Sequence, residues 1–354
     1  MLGTLGAQGL EVPEDELEDA FFHLARVEER DGARDRHGRF AAAASSLDPL
    51  DPPLERLRAQ LGIEPPRWRG ARFAVALTHD VDTPWRWTRA GIRLAAGRLR
   101  RGDLGQIGPL ARVPLHRLRG TDPNWSFERM LELEAEHGAR STFFVLAGHG
   151  HPADGSSPGT YERLRARLVE TIVEGGGEIG LHGSYTSADD AARLAAERAQ
   201  LEVLAGPLAG HRYHYLRVDP HANLAAVEQA GFRYDSTLGF PDALGFRAGI
   251  AHPFRPWGTR LVEIPLAAMD ATLAEERYLG LSAAEGERRL TALLDWAAEH
   301  GGGFAILWHN DRFDPPTAHG WDRLYARVLA SVRERGGVCL TAGELAEEAD
   351  AWLP

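Results

Sequence analysis

The chain has 354 residues, 51 of them acidic and 40 basic, a formal charge of −11, and every basic residue apart from histidine is an arginine. Without lysine there is no Schiff-base amine, pyridoxal-phosphate anchor or Walker-type phosphate loop, and the lone Cys339 excludes an internal disulfide and a multi-cysteine zinc cage. The acidic balance argues against nucleic acid as a general partner, no stretch has the length of a membrane span, and a start containing Glu11, Glu14, Asp15 and Glu16 does not read as a signal peptide, so a soluble cytoplasmic protein is expected.

In chain order, Glu16 to Arg30 predicts a helix, Asp31 to Ala44 a polar loop, Asp48 to Pro53 a turn, and Leu54 to Leu61 a short helix. Pro65-Pro66 marks a boundary between an N-terminal accessory region, 1–70, and a larger domain, 71–354. That domain opens on the apolar run Ala71 to Leu77, a buried strand ending in Thr78-His79-Asp80-Val81-Asp82. Alternation of side chains puts Asp80 and Asp82 on one face and His79 and Val81 on the other. Two carboxylates in one pocket repel unless a cation or a division of labour relieves them. A metal site is one reading; acids capping the next element is the other.

After a long connection come a helix at Phe127 to Glu134, a strand at Ser141 to Leu146, a helix at Tyr161 to Glu174 and a strand at Glu178 to His182. A helix at Asp189 to Leu204, a strand at Gly210 to Leu216, a helix ending at Gly231 and a strand at Phe232 to Asp235 follow. Later strands are Leu261 to Leu266, Gly303 to Trp308 and Val338 to Thr341; later helices are Ala283 to His300, Trp321 to Glu334 and Gly343 to Ala351. The alternation implies parallel β/α units and an α/β fold, a distorted parallel (β/α)7-type barrel. There is no internal repeat and no low-complexity tract. In such a barrel, reactive groups gather at the C-terminal ends of strands. Asp80, Asp82, His182, Arg212, His214 and His309 all fall there.

These residues resemble the polysaccharide deacetylases of the NodB homology fold, similar to carbohydrate esterase family 4, in a Thr-His-Asp-Val-Asp subgroup, over about residues 71 to 345. Asp80-Val81-Asp82 is similar to the motif whose first Asp is general base and whose second binds metal. Leu181-His182-Gly183-Ser184 resembles the start of the motif whose His is a ligand. Arg212-Tyr213-His214-Tyr215 resembles the one whose Arg orients the base, and Leu307-Trp308-His309 the one whose His is general acid. Ser141-Thr142-Phe143-Phe144-Val145 and Tyr234-Asp235-Ser236 also fit the pattern. The resemblance implies metal-assisted amide hydrolysis with Asp80, Arg212 and His309 as catalytic residues, and with a backbone amide near Tyr215 at the oxyanion. Tyr215, Trp308 and Asp235 are expected to contact substrate.

Two departures bear on the metal. A second histidine is usual four residues after His182, but position 186 is Thr; where a proline is usual, the chain has His214. His214 is two residues from Arg212 and so shares its strand face. The ligand set is therefore expected to be Asp82, His182 and His214 around one divalent ion, zinc first, with Co2+, Mn2+, Fe2+ or Ni2+ as alternatives. His214 as a substrate contact, or loss of the metal, are the rival readings. His211, His149 and His151 are read as loop or surface histidines.

Residues 85 to 119 carry nine arginines and one acid, Asp103. With Trp85, Trp87, Ile92, Leu94 and Leu99, the segment reads as a solvated helix and loop, as an anion-binding lid over the site, or as a contact with an anionic membrane or a lipid-linked glycan, peripheral to the inner face of the membrane. The first 70 residues are similar to the end of an accessory region before some such domains, which implies a chain beginning partway through it; packing, not catalysis, is its expected role. The leading expectation is a deacetylase of an N-acylated sugar in surface-glycan or exopolysaccharide biosynthesis. The alternatives are hydrolysis of another non-peptide C–N amide, or an inactive glycan-binding barrel stacking sugars on Trp85, Trp87, Trp125, Trp257 and Trp308.

Overall fold

The computed structural model describes residues 14–155, 157–314 and 318–353; the first 13 residues of the accessory region and Pro354 lie outside them. The principal elements begin with α1 (Glu14–Leu24), α2 (Pro53–Gln60), β1 (Phe73–Val81), α3 (Arg89–Arg100), α4 (Ile107–Arg119), α5 (Phe127–Glu136), β2 (Thr142–Leu146), α6 (Pro158–Glu174) and β3 (Glu178–Gly183). They continue with α7 (Ala191–Ala205), β4 (Gly210–Tyr213), α8 (Asn223–Gln229), β5 (Tyr234–Asp235), β6 (Val262–Glu263), β7 (Leu266–Met269) and α9 (Asp270–Ala274). The last are α10 (Ala283–His300), β8 (Gly302–Leu307), α11 (Trp321–Glu334), β9 (Val338–Leu340) and α12 (Ala342–Asp350).

β1 is buried at every position, as a central parallel strand covered on both faces must be. It pairs in parallel with β2 from Thr78↔Thr142 to Val81↔Val145 and with β8 from Phe73↔Gly302 to Thr78↔Leu307, while β9 pairs with Ala74–Ala76. The sheet order β6-β5-β4-β3-β2-β1-β8-β7, all parallel, curls into an open barrel with helices outside, the α/β architecture expected. Parallel pairing sends every strand's C-terminal end to one rim, which is why residues distant in sequence meet there.

Local chemistry explains where the sequence-based boundaries fit. α10 starts in a capping box, Ser282 Oγ accepting from Glu285 N and Glu285 Oε2 from Ser282 N, and stops at Gly301 with φ 87°. Two boundaries differ. The strand expected at Leu261 to Leu266 is two strands, β6 and β7, interrupted at Pro265, which has no N–H to give a ladder. The strand expected to run to Leu216 stops at Tyr213, because Tyr215 and Leu216 turn into the left-handed region with φ 63° and 55°.

The accessory residues pack on the barrel through buried charge. Glu29 accepts from Arg247 Nε at 2.8 Å and Nη2 at 2.6 Å and from Arg26 Nε at 2.8 Å, and all three residues are buried. Glu55 likewise takes Arg58 Nε and His252 Nδ1, each at 2.8 Å. Removing Glu29 leaves the buried Arg247 guanidinium without a carboxylate among the described residues, while Arg26 keeps Glu28 at 3.0 Å. Glu29→Ala is expected to cost about 3–5 kcal/mol in urea unfolding; a loss below about 1 kcal/mol, typical of surface pairs, would show that this joint does not hold the two regions together.

Candidate active site

β1 delivers Asp80 and Asp82 to the rim on one face, while His79 goes to the other and is fully buried, bonded to Glu134 Oε1 at 2.8 Å and the Trp308 carbonyl at 2.6 Å. Asp80 is held by Arg212 from β4. Arg212 Nη1 donates to Asp80 Oδ1 at 3.0 Å and to Thr78 Oγ1 at 2.9 Å, Nε to the Ser236 carbonyl at 2.7 Å and Nη2 to Ser236 Oγ at 2.9 Å. With its guanidinium also over the Phe144 ring, this buried arginine has one available pose, and that pose fixes Asp80.

Asp82 faces three imidazoles. His182 Nε2 stands 3.3 Å and His214 Nε2 3.4 Å from Asp82 Oδ1, and His309 Nε2 is 3.9 Å from Oδ2. One ligand atom each from Asp82, His182 and His214 lie within 4.8 Å of one another. Asp82 Oδ1 and His182 Nε2 are buried without a hydrogen-bond partner. Orphaned buried polar atoms converging on one point are what a missing cation leaves, and an Asp-His-His donor set suits a divalent transition metal. The ligand set expected from the sequence is thus brought together, while Thr186, at the usual position of a second histidine, leaves its buried hydroxyl unbonded.

Each imidazole is fixed from behind. His182 Nδ1 lies 3.0 Å from the Arg212 carbonyl, His214 Nδ1 3.0 Å from Asp154 Oδ1, and His309 Nδ1 2.6 Å from Asp270 Oδ1. Asp154 also accepts from Tyr185 N and His151 N, and Asp270 from His309 N and Arg312 Nε. Such outer partners select the tautomer that turns Nε2 to the centre. Asp154 and Asp270 were missed in the sequence. Asp270 carried a readable signal: Leu266 to Met269 is an apolar run ending in an acid, as β1 is, but Pro265 hid it. Asp154 sits in a loop and carried none.

Burial opposes charge on His214 and His309, but the facing carboxylates prevail. Asp82 and Asp154 raise His214 to about 9, and Asp270, with Asp82 and Asp80, raises His309 to about 10. Burial opposes the Asp82 anion too, yet His214, His182 and His309 hold its carboxyl well below the usual range. Without a bound cation, these carboxylates favour the charged form of His309, the form that donates a proton.

The site opens into a cavity of about 250 Å3 walled by these groups and by Tyr215, Met269, Tyr278 and Arg312, with Arg39 arriving from the accessory region. Arg39 lies between the Tyr215 and Tyr278 rings, braced by Asp35 at 2.7 Å, so this region is wall as well as packing. Tyr215 is on the wall. Trp308 and Asp235 are not, which corrects the expectation for both. Trp308 is 1% exposed and packs on Trp321 and Tyr325, because it alternates with His309 and so faces the core. Asp235 is fully buried, accepting from His211 Nδ1 at 2.6 Å and from Thr237, beside Glu263, whose carboxyl is pushed well above the usual range by burial and by Asp235. His211 is accordingly a core residue, and His149 lines a neighbouring cleft.

A proton with a pKa of about 9 must leave His214 before a cation can take Nε2. Affinity for cobalt(II), read by its visible spectrum, should therefore rise about tenfold per pH unit from about 7 to 9 and level off above; a flat profile would contradict the ligand role. Asp154→Asn should lose about 10–100-fold in affinity and level off at lower pH.

The chain matches no protein-family model and no curated protein. Among solved structures it is similar to one described as a polysaccharide deacetylase from Mycobacterium smegmatis, at 21% identity and TM-score 0.55, covering 81% of this chain and 93% of that one. It is also similar to one so described from Pseudomonas aeruginosa PAO1, at 17% identity and TM-score 0.54, covering 80% and 94%. The chain thus has the polysaccharide-deacetylase fold.

Proposed function

We propose that the protein is a metal-dependent hydrolase that removes an acyl group, acetyl first, from an N-acylated sugar in surface-glycan or exopolysaccharide biosynthesis. One observation carries the reading: two separately braced dyads, Asp80–Arg212 and His309–Asp270, are presented beside the Asp82–His182–His214 cluster. A glycan-binding barrel has no use for a braced acid and a braced base. Its proposed stacking platforms are also depleted, since Trp87 and Trp308 are buried. The shared fold with proteins described as polysaccharide deacetylases supports the substrate class.

A divalent ion held by Asp82, His182 and His214, zinc by this donor set, would polarise the acyl carbonyl and acidify a neighbouring water. Asp80, aimed by Arg212, takes a proton from the water that attacks the acyl carbon. As charge develops on the carbonyl oxygen, a backbone amide near Tyr215, in its left-handed turn, is the proposed donor to it. The C–N bond then breaks, and His309 gives its Nε2 proton to the departing sugar nitrogen while Asp270 holds Nδ1. Products are a carboxylate and an amine. A reducing cytoplasm fits the single free thiol of Cys339.

Acetate release from N-acetylated glycans tests this. Asp80→Asn keeps the shape but removes the base, and should lower turnover by about 10²–10⁴ with metal content unchanged. Turnover within a few-fold of wild type would remove Asp80 from its role. Failure of wild type, loaded with metal, to release acid from any N-acylated sugar would reject the substrate class.

A further inference from the structure

We infer that the hairpin of α3 and α4 docks the protein on an anionic lipid bilayer. Its inner face is spent on a small cluster, Trp87, Ala95 and Val113 with Ile92 and Leu110. What remains outside is unusual. Ile107, Ala111, Pro114, Leu115 and Leu118 recur along α4 at i, i+4, i+7, i+8 and i+11, one continuous face, and all are exposed, Leu118 by 85%. Among the described residues, five of the thirteen exposed large hydrophobic side chains fall between Leu94 and Leu118. A patch of this kind on an acidic protein marks a contact surface.

Charge says what it contacts. Eight of the nine arginines between 85 and 119 are exposed, and none of the eight joins an ion pair among the described residues. Arg112 and Arg119 flank the apolar face on one side and Arg117 on the other. An aliphatic stripe rimmed by arginine, with no acid on α4, is the pattern of a basic amphipathic helix lying in a lipid interface. The chain's charge of −11 makes the localisation sharper, because the rest of the surface is repelled by anionic headgroups.

The dock also bears on the site. A cleft of about 440 Å3 beside α3 is lined by Leu94, Ala95 and Arg98 as well as by Asp82 and Asp154. A bilayer against the hairpin would set that cleft's mouth at the lipid surface, where a lipid-linked glycan could enter. Docking itself does not rest on the hydrolase reading, and its failure would leave that reading untouched.

Sedimentation with vesicles of phosphatidylglycerol and phosphatidylcholine, against phosphatidylcholine alone, tests it on the full chain. Wild type should pellet with the anionic vesicles at low salt and less at high salt. The triple variant Arg112→Gln, Arg117→Gln, Arg119→Gln should lose on the order of 100-fold in partitioning, and Ile107→Ser, Leu115→Ser, Leu118→Ser at least about tenfold. Circular dichroism checks that both keep their fold. Wild type remaining in the supernatant with anionic vesicles at low salt overturns the inference whatever the variants do, as does binding that neither variant weakens. Capture by heparin without capture by vesicles would reassign the surface to soluble polyanions and reject the bilayer.

Discussion

Two carboxylates leave the end of β1 on the same face, and the surrounding site answers the repulsion this creates. The answer is asymmetric. Asp80 receives a permanent cation, Arg212, through a direct hydrogen bond in a buried cradle. Asp82 receives only imidazoles, which can yield their place to a metal by losing a proton. One carboxylate is thereby committed to aiming and the other to ligation, and the proposed division between base and ligand follows from which partner each one has.

The second layer repeats this logic. A neutral imidazole has one donor and one acceptor nitrogen, so a ligand histidine must be told which to offer. The Arg212 carbonyl does this for His182 and Asp154 for His214, whereas Asp270 secures a charged His309. Arg212 thus serves both carboxylates, its guanidinium fixing Asp80 and its carbonyl turning a ligand of Asp82. The strained turn at Tyr215 and Leu216 directly follows this strand, so β4 ends where its side chains are most needed.

Much of this was legible in the sequence, because period-2 alternation and strand ends are local properties. The Asp-x-Asp pair needed only that alternation, whereas His214 as a ligand in place of an imidazole at position 186 was suggested by the family resemblance, and His214 itself lies just past the end of β4. The same rule, applied once more, would have rejected Trp308, which neighbours His309, and Asp235, which pairs in register with His211 rather than Arg212. What could not be read was contact at long range through loops: Asp154 behind His214, and Arg39 in the cavity wall after a connection of polar residues. Asp154 is set by the loop after β2 and Arg39 by how the accessory region packs on the barrel rim, outcomes with no periodic signature.

The central claim is that Asp82, His182 and His214 hold one divalent ion. Metal per chain, measured by mass spectrometry on wild type and His214→Ala purified side by side, addresses it most directly. The account predicts about one ion in wild type and little in the variant, since two of three ligands hold a divalent cation poorly. Equal metal in both would move the third ligand elsewhere, and no metal in either after reconstitution would contradict the claim.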